Sequence, residues 1–252
     1  MSTPRKPLSS RVPWSRLASE LGINVRTMGL PAATQCPFCQ GVVQVCRDPL
    51  LEGQWFYCPS CRRQGDMIEL AAAVWERWLV NQDTRFLVDL LDDLVADYGV
   101  WEQERQLSGG LFWQHDVKDG MEESISGSRR EQQARPTINT YMFANARAIS
   151  RIATLVDRAA VVDDFDRKAD QLRQLTMDQL WNAESQFFEV RHPERGFANV
   201  REEIGYIPWN FHLPEPGRGY EMAWSQLMDP EGFHAPAGIT TAERRHPCLL
   251  YT

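Results

Sequence analysis

Two Cys-x-x-Cys pairs, CPFC at 36–39 and CPSC at 58–61, constrain the first part of this chain more tightly than any other feature. Two residues between cysteines let both thiolates turn onto one ion, and two such pairs complete the tetrahedral shell that Zn²⁺ takes with sulfur. Residues 31–65 hold too few large apolar side chains to fold on a core of their own. Metal is therefore expected to supply much of the folding free energy there, on the order of 10 kcal/mol in small zinc-dependent units. Cys36, Cys39, Cys58 and Cys61 are the predicted ligands of a structural Zn²⁺, and four thiolates leave no open position for a catalytic water. Cys46, inside the apolar run VVQVC, reads as a small strand residue, and Cys248 as an ordinary free thiol.

Charge divides the chain at about the same place. Met1–Leu79 carries 9 basic and 6 acidic residues, and the remainder 18 basic and 28 acidic, within a net charge of −7 over 252 residues. Two differently charged segments are implied, 1–79 and 80–252, and 43% hydrophobic residues suffice for a real core. No apolar run reaches the ~18 residues of a membrane span, and MSTPRKPLSSRVPW lacks the apolar centre of a signal peptide, so the expectation is a cytoplasmic protein without membrane contact.

Around the cysteine pairs, Arg47, Arg62 and Arg63 are placed to meet phosphates, and Trp55 and Tyr57 to offer a stacking face to an unpaired base. The competing reading is a structural or protein-docking ribbon with a solvated arginine rim. The run WFYCPSCRRQGDMIELAAAVW, with VPWSRLASELGI upstream, resembles the zinc-binding domain of bacterial DNA primases. That resemblance covers residues ~10–78 and implies a single-stranded nucleic-acid partner. The first cysteine pair departs from the primase pattern: no His replaces a cysteine, and no polymerase domain follows, so primer synthesis is not implied.

Beyond the cysteines the pattern is helical. Phe86, Leu87, Leu90, Leu91, Leu94, Val95 and Tyr98 fall on one stripe and predict a helix over 83–104. Tyr141, Met142, Ile149, Ile152, Ala153 and Val156 predict another from Ile138 to about Ala160, and Leu172, Leu175, Leu180 and Trp181 a third over 164–182. SQFFEVRHPERGFANV, broken by His-Pro and Gly, reads as a hairpin, and Tyr220–Leu227 as a short helix ending at DPEG.

Between the first two helices lies WQHDVKDGMEESISGSRREQQARPTIN, residues 113–139. Acids crowd a Gly-Met corner, arginines follow, and Pro136 stops any helix before a new one starts, which suits a loop lining a polar cleft better than a charged helix face. A solvated loop between two helices is the plain alternative. No phosphate loop, dinucleotide fingerprint or nucleophile elbow is present, and the five histidines show no metal-ligand spacing.

The blocks GLFWQHDVKDGMEESISGSR, RPTINTYMFANARAISRIA, EEIGYIPWNF, WSQLMDPEGF and GITTAERRHP together resemble the mannosylglycerate-hydrolase-like glycoside hydrolases, relatives of trehalase. The resemblance implies a toroid of paired helices and a general acid two positions after the loop glycine, which here is Glu122. Trp113, Asp119, Glu123, Arg130, Asn139 and Trp209 are the expected sugar-binding residues, with Glu202, Glu203, Asn210 and Glu221 as further polar candidates. Asn139 reads equally well as a helix cap. Glycoside hydrolysis needs a second carboxyl group across the scissile bond. The resemblance supplies none within 252 residues, because the relatives continue into further helices.

The resulting expectation is a mainly α protein with a small N-terminal β-rich zinc ribbon and an incomplete (α/α) toroid. Its function is zinc binding fused to a glycoside-hydrolase-like domain that is inactive alone. The alternative is a nucleic-acid-binding zinc module with the helices as a partner-binding scaffold.

Overall fold

The computed structural model describes residues 71–116 and 124–248 with their side chains and, before them, the backbone of Leu70 and of four strands. These strands are β1 (Ala32–Gln35), β2 (Val42–Arg47), β3 (Gln54–Tyr57) and β4 (Gln64–Gly65). They pair in chain order as an antiparallel sheet. Gln35 pairs with Val42, Gln44 with Tyr57, and Tyr57 with Gln64, so the connections 36–41 and 58–63 leave the same end of the sheet. Cys36, Cys39, Cys58, Cys61, Arg62 and Arg63 fall in those connections and lie outside the described residues, as do the side chains of Arg47, Cys46, Trp55 and Tyr57.

The chain forms two compact units, one made of residues up to Gln103 with Arg147–Asp163, the other of Glu104–Ala146 with the residues from Asp164 on. Four helices carry most of the described chain: α1 (Leu70–Asn81), α2 (Thr84–Arg105), α3 (Pro136–Leu155) and α4 (Ala159–Leu180).

In the first unit the turn between α1 and α2 is written in three polar residues. Gln82 takes a left-handed conformation (φ 57°), and its side-chain amide donates to the carbonyls of Trp78 and Leu79, closing α1. Asp83 then accepts from the Phe86 N–H at 3.3 Å and caps α2. The apolar stripe of α2 is buried as its spacing predicts, from Phe86 through Leu87, Leu90, Leu91 and Leu94 to Tyr98.

Helix α3 starts with Pro136 at its first position, where the missing N–H costs nothing. It ends at Leu155, five residues short of the Ala160 predicted. Asp157 adopts φ 56°, Arg158 N–H donates to Ala153 O at 2.9 Å, and Asp157 N–H to Thr154 O at 3.4 Å. This is the paired-bond helix stop usually built on glycine.

The second unit adds a small antiparallel sheet in the order β10-β9-β6-β5, from β5 (Trp113–Gln114), β6 (Gln133–Ala134), β9 (Arg191–His192) and β10 (Gly196–Phe197). Two ladders flank it: β7 (Trp181–Asn182) with β8 (Phe187–Phe188), and β11 (His234–Ala235) with β12 (Gly238–Ile239). A 3-10 turn, Glu203–Tyr206, leads into the one-turn helix α5 (Ile207–Asn210), and a longer 3-10 helix covers Tyr220–Leu227.

Aromatic rings join these short pieces. Phe187 meets Tyr206 edge-on at 4.8 Å and stacks on Phe233 at 5.7 Å, and Tyr206 stacks on Trp224 at 5.0 Å. Gly205 is required there, because any Cβ would collide with the Phe187 ring and the Phe188 carbonyl. No helix among the described residues is long and apolar enough to cross a membrane.

Candidate functional site

The acid-rich loop of residues 113–139 is held at both ends within the second unit. On its entry side β5 pairs with β6, Trp113 opposite Ala134 and Gln114 opposite Gln133. Asp116, buried, packs directly on the backbone of Gly127, where a Cβ would strike its carboxylate. Residues 117–123, which include Asp119, Glu122 and Glu123, lie outside the described residues.

On its exit side the chain runs onto Glu202. The Glu202 carboxylate, 3% exposed, accepts from Ser124 Oγ at 3.0 Å, from the Ile125 N–H at 2.7 Å, and from Ser126 Oγ. Ser124 Oγ in turn accepts from Arg135 Nη2 at 3.3 Å, and Arg135 is fully buried. A buried cation and a buried anion are thus joined through one hydroxyl, with further donors completing the carboxylate. This is how such charges are tolerated away from water.

Gln133 extends the network. Its Oε1 accepts from Arg135 Nη1 at 3.1 Å, and its Nε2 donates to Ser126 O at 2.9 Å and lies 3.0 Å from His192 Nδ1. The same ring nitrogen is 3.1 Å from Glu131 Oε2 and 3.0 Å from Arg195 Nη2. With two donors and one acceptor around it, the tautomer of His192 decides which neighbours it serves.

Two further carboxyl groups in this unit are perturbed, one of them beside Glu202. Glu203, half-buried, is pushed above the usual carboxylate range by burial and then by the charge of Glu202. Glu189, 2% exposed, is also pushed up by burial, partly offset by hydrogen bonds that include Asn182 Nδ2 at 3.2 Å. The backbone aiming Glu202 is itself paired: Glu202 bridges to Ala242, Glu203 N–H donates to Thr241 O at 2.8 Å, and Glu243 N–H to Arg201 O at 3.0 Å. Arg201 and Glu243 add an ion pair at 2.5 Å.

The other expected sugar-binding residues are dispersed. Trp113 is half-buried, with the Arg105 guanidinium 4.2 Å over its ring and His115 edge-on at 5.3 Å. Arg130 is exposed, as is Asn210. Trp209 belongs to the aromatic cluster, edge-on to Phe188 and Trp224 at 5.3 Å each. Glu221 accepts from Gly217 N–H at 2.5 Å and Gly219 N–H at 3.1 Å, so its carboxylate staples a turn.

Asn139 is fully buried. Its Oδ1 accepts from Phe112 N–H at 2.8 Å, and its Nδ2 donates to the carbonyls of Phe112 and Arg135 at 2.9 Å. It positions the segment ahead of the loop and offers no exposed atom to a sugar.

Glu202 is the element whose role the sequence hides most, since its partners lie 76 to 78 residues away. Among the described residues no three His, Cys, Asp or Glu side chains are grouped to hold a metal ion.

Residues 68–249 match the family model described as mannosylglycerate hydrolase MGH1-like glycoside hydrolase domain. A solved structure named "Sialidase" is 49% identical, with a TM-score of 0.69, over 71% of this chain and 16% of that one. The GH63 mannosylglycerate hydrolase from Thermus thermophilus, in complex with glucose, gives a TM-score of 0.57 at 14% identity, over 71% of this chain and 55% of that one. An uncharacterized conserved protein from the same organism gives 0.59 at 13% identity, over 71% and 57%.

The chain therefore spans less than two thirds of each of these structures, and at 13–14% identity the likeness is one of fold. No curated protein matches. None of these matches lends support to the primase resemblance of residues 10–78 or to nucleic-acid binding through Arg47, Trp55, Tyr57, Arg62 and Arg63.

Proposed function

This chain belongs to the mannosylglycerate-hydrolase-like glycoside hydrolases, and from that membership we propose that its second unit presents one wall of a carbohydrate-cleaving site, with Glu122 as the proton donor. The observation carrying this reading is the grip of Glu202 on Ser124, Ile125 and Ser126, directly after residues 117–123. A general acid must be held in place to within a fraction of an ångström to protonate a leaving oxygen, and a loop closed on a buried carboxylate supplies such a frame. Arg135 and Gln133 brace it from below, and Asp116 on Gly127 fixes the entry leg.

Proton donation alone contributes about 10² to 10⁴ in rate. A second carboxylate must activate water from the opposite side, ~6.5 to 9.5 Å from the acid in an inverting enzyme. The chain spans 57% and 55% of two relatives of known structure, and our proposal looks for that second group in the part of the fold this chain does not match. On this reading the matched part binds sugar, and turnover requires that second carboxylate.

The test is to titrate the chain with mannosylglycerate, glucosylglycerate, mannose and glucose, and to assay the glycosides with the chain alone and joined to the remaining helices of a relative. We expect hydrolysis only from the joined protein, abolished by Glu122→Gln. Hydrolysis by the chain alone, or by a joined protein carrying Glu122→Gln, overturns the assignment.

A further inference from the structure

Strands β6 and β9 are antiparallel with Ala134 opposite Arg191. The next step along the pair therefore sets Gln133 beside His192 on one face of the sheet. Pro193 and Gly196 (φ 79°) turn the chain between β9 and β10. Arg195 folds back over the ring, its Nη2 3.0 Å from His192 Nδ1 and 2.6 Å from Glu131 Oε2. On the facing leg of the acid loop, Ser128 Oγ accepts from the Arg130 and Glu131 N–H groups at 3.1 and 3.0 Å, and this turn brings Glu131 to the hairpin.

His192 Nδ1 is a point of conflict. It carries either a lone pair or a hydrogen, and three groups lie within 3.1 Å: the donors Gln133 Nε2 and Arg195 Nη2, and the acceptor Glu131 Oε2. Burial decides which are served. Gln133 is fully buried, and one hydrogen of its Nε2 is taken by Ser126 O at 2.9 Å. Without Nδ1 as acceptor, the other hydrogen would be buried with no partner among the described residues. The Glu131 side chain is 47% exposed and keeps Arg195 as a donor, so it loses little. Nδ1 therefore holds the lone pair, and the ring hydrogen sits on Nε2.

From this geometry we infer that His192 is a positioning residue for the acid loop, holding Gln133 through the lone pair of Nδ1 while Gln133 holds Ser126 and Arg135. Gln133 Oε1 accepts from Arg135 Nη1 at 3.1 Å. Its Nε2 reaches Ser126 O, one residue after the Ile125 N–H that meets Glu202. Turning the amide over would set acceptor against acceptor at Ser126 and donor against donor at Arg135, and the Nδ1 lone pair opposes the same turn from a third side. The exit leg thus has two holds, Glu202 acting directly and His192 acting through Gln133. The bearing of this hold on carbohydrate rests on the function proposed above; the tautomer and the hold itself do not.

The experiment uses the full chain labelled with heavy nitrogen. Long-range proton–nitrogen correlation spectra, recorded at mildly alkaline pH, are expected to place the His192 hydrogen on Nε2. Amide exchange at Ser124–Ser126 is then compared in two variants. His192→Asn can put its Oδ1 where Nδ1 stood and should exchange within about twofold of the unmutated protein; His192→Phe fills the space but accepts no hydrogen bond and should exchange about tenfold faster. Affinity for mannosylglycerate should follow the same order, with His192→Phe weaker by about fivefold or more. A purely space-filling role would give the reverse order, since Asn is the smaller replacement.

A hydrogen on Nδ1, or equal exchange in His192→Asn and His192→Phe, would overturn the inference. The tautomer is read on the unmutated protein, so the test stays decisive even if His192→Phe fails to fold. If no protein binds mannosylglycerate while the ring and the exchange rates behave as expected, the sugar-site reading falls and the hold of His192 on the loop is upheld.

Discussion

Replacing Glu202 by Ala tests the frame of the acid loop most directly. Its carboxylate serves three donors, and removing it leaves them unequal. Ser124 Oγ and Ser126 Oγ are 3.2 Å apart and can turn to each other, so the two hydroxyls are largely self-rescued. The Ile125 N–H cannot rotate, and orphaning it costs about 1 to 3 kcal/mol. Arg135 keeps Gln133 but loses the negative charge relayed through Ser124; breaking a direct buried pair costs ~3 to 5 kcal/mol, and an indirect one roughly a third of that.

The sum is about 3 kcal/mol, or ~6 to 12 °C in the melting of a unit this size. Glu202→Gln keeps the shape and one acceptor oxygen and should cost about half as much.

Thermal melts by circular dichroism give the global figure, and hydrogen exchange at the Ile125 amide gives the local one, with ~100-fold faster exchange expected in Glu202→Ala. A shift below about 0.5 kcal/mol together with unchanged exchange at Ile125 would show that the loop is held by something other than Glu202.

Gly205→Ala drives a methyl into the Phe187 ring and the Phe188 carbonyl and should destabilise by about 2 kcal/mol or more, whereas Gly109→Ala, with nothing within 4 Å of the added carbon, should leave the melting point within ~2 °C. Asp157→Gly relieves a left-handed residue at the end of α3 and should stabilise by roughly 0.5 kcal/mol in a denaturant titration; destabilisation would mean the aspartate side chain has a role of its own. Glu189 has a folded pKa above its unfolded one, so its ionisation opposes folding: the penalty is absent below the ordinary glutamate value, grows as pH rises through the folded pKa, and then levels off. Glu189→Gln should therefore match the unmutated protein in melting point near pH 4 and exceed it near pH 7, and an advantage that shrinks with rising pH would refute the burial argument.

Local periodicity made the helical part of this fold readable. Six of the seven stripe residues from Phe86 to Tyr98 are buried as the spacing requires, Val95 being only half-buried, because an apolar face of that width leaves α2 few other ways to pack. The end of α3 was not readable: apolar spacing continues through Val156, and an aspartate in a left-handed turn gives no glycine signal. Glu221 follows Gly217 and Gly219 closely enough that its turn-stapling role was latent in the sequence, while a polar-pocket reading used only its charge. Trp209 looked like a ring for a sugar to stack on. Among the described residues it is a member of an aromatic core whose partners, Phe188 and Trp224, lie 21 residues before it and 15 after. The loop's acidity and its Gly and Pro punctuation were local signals. Its anchorage on Glu202 is a contact across nearly eighty residues, and no single-sequence pattern carries such a distance.

The pairing of Arg201–Glu203 with Thr241–Glu243 decides how much chain is needed to display the loop at all. A fragment spanning only residues 104–239 would contain the whole of 113–139 and Glu202 itself, yet Glu203 N–H would lose its acceptor Thr241, and Arg201 would lose all three contacts to Glu243. The carboxylate would be present but no longer aimed. An excised piece that shows a native loop therefore includes residues 240–246, and trimming from that side is where engineering of this unit would fail first.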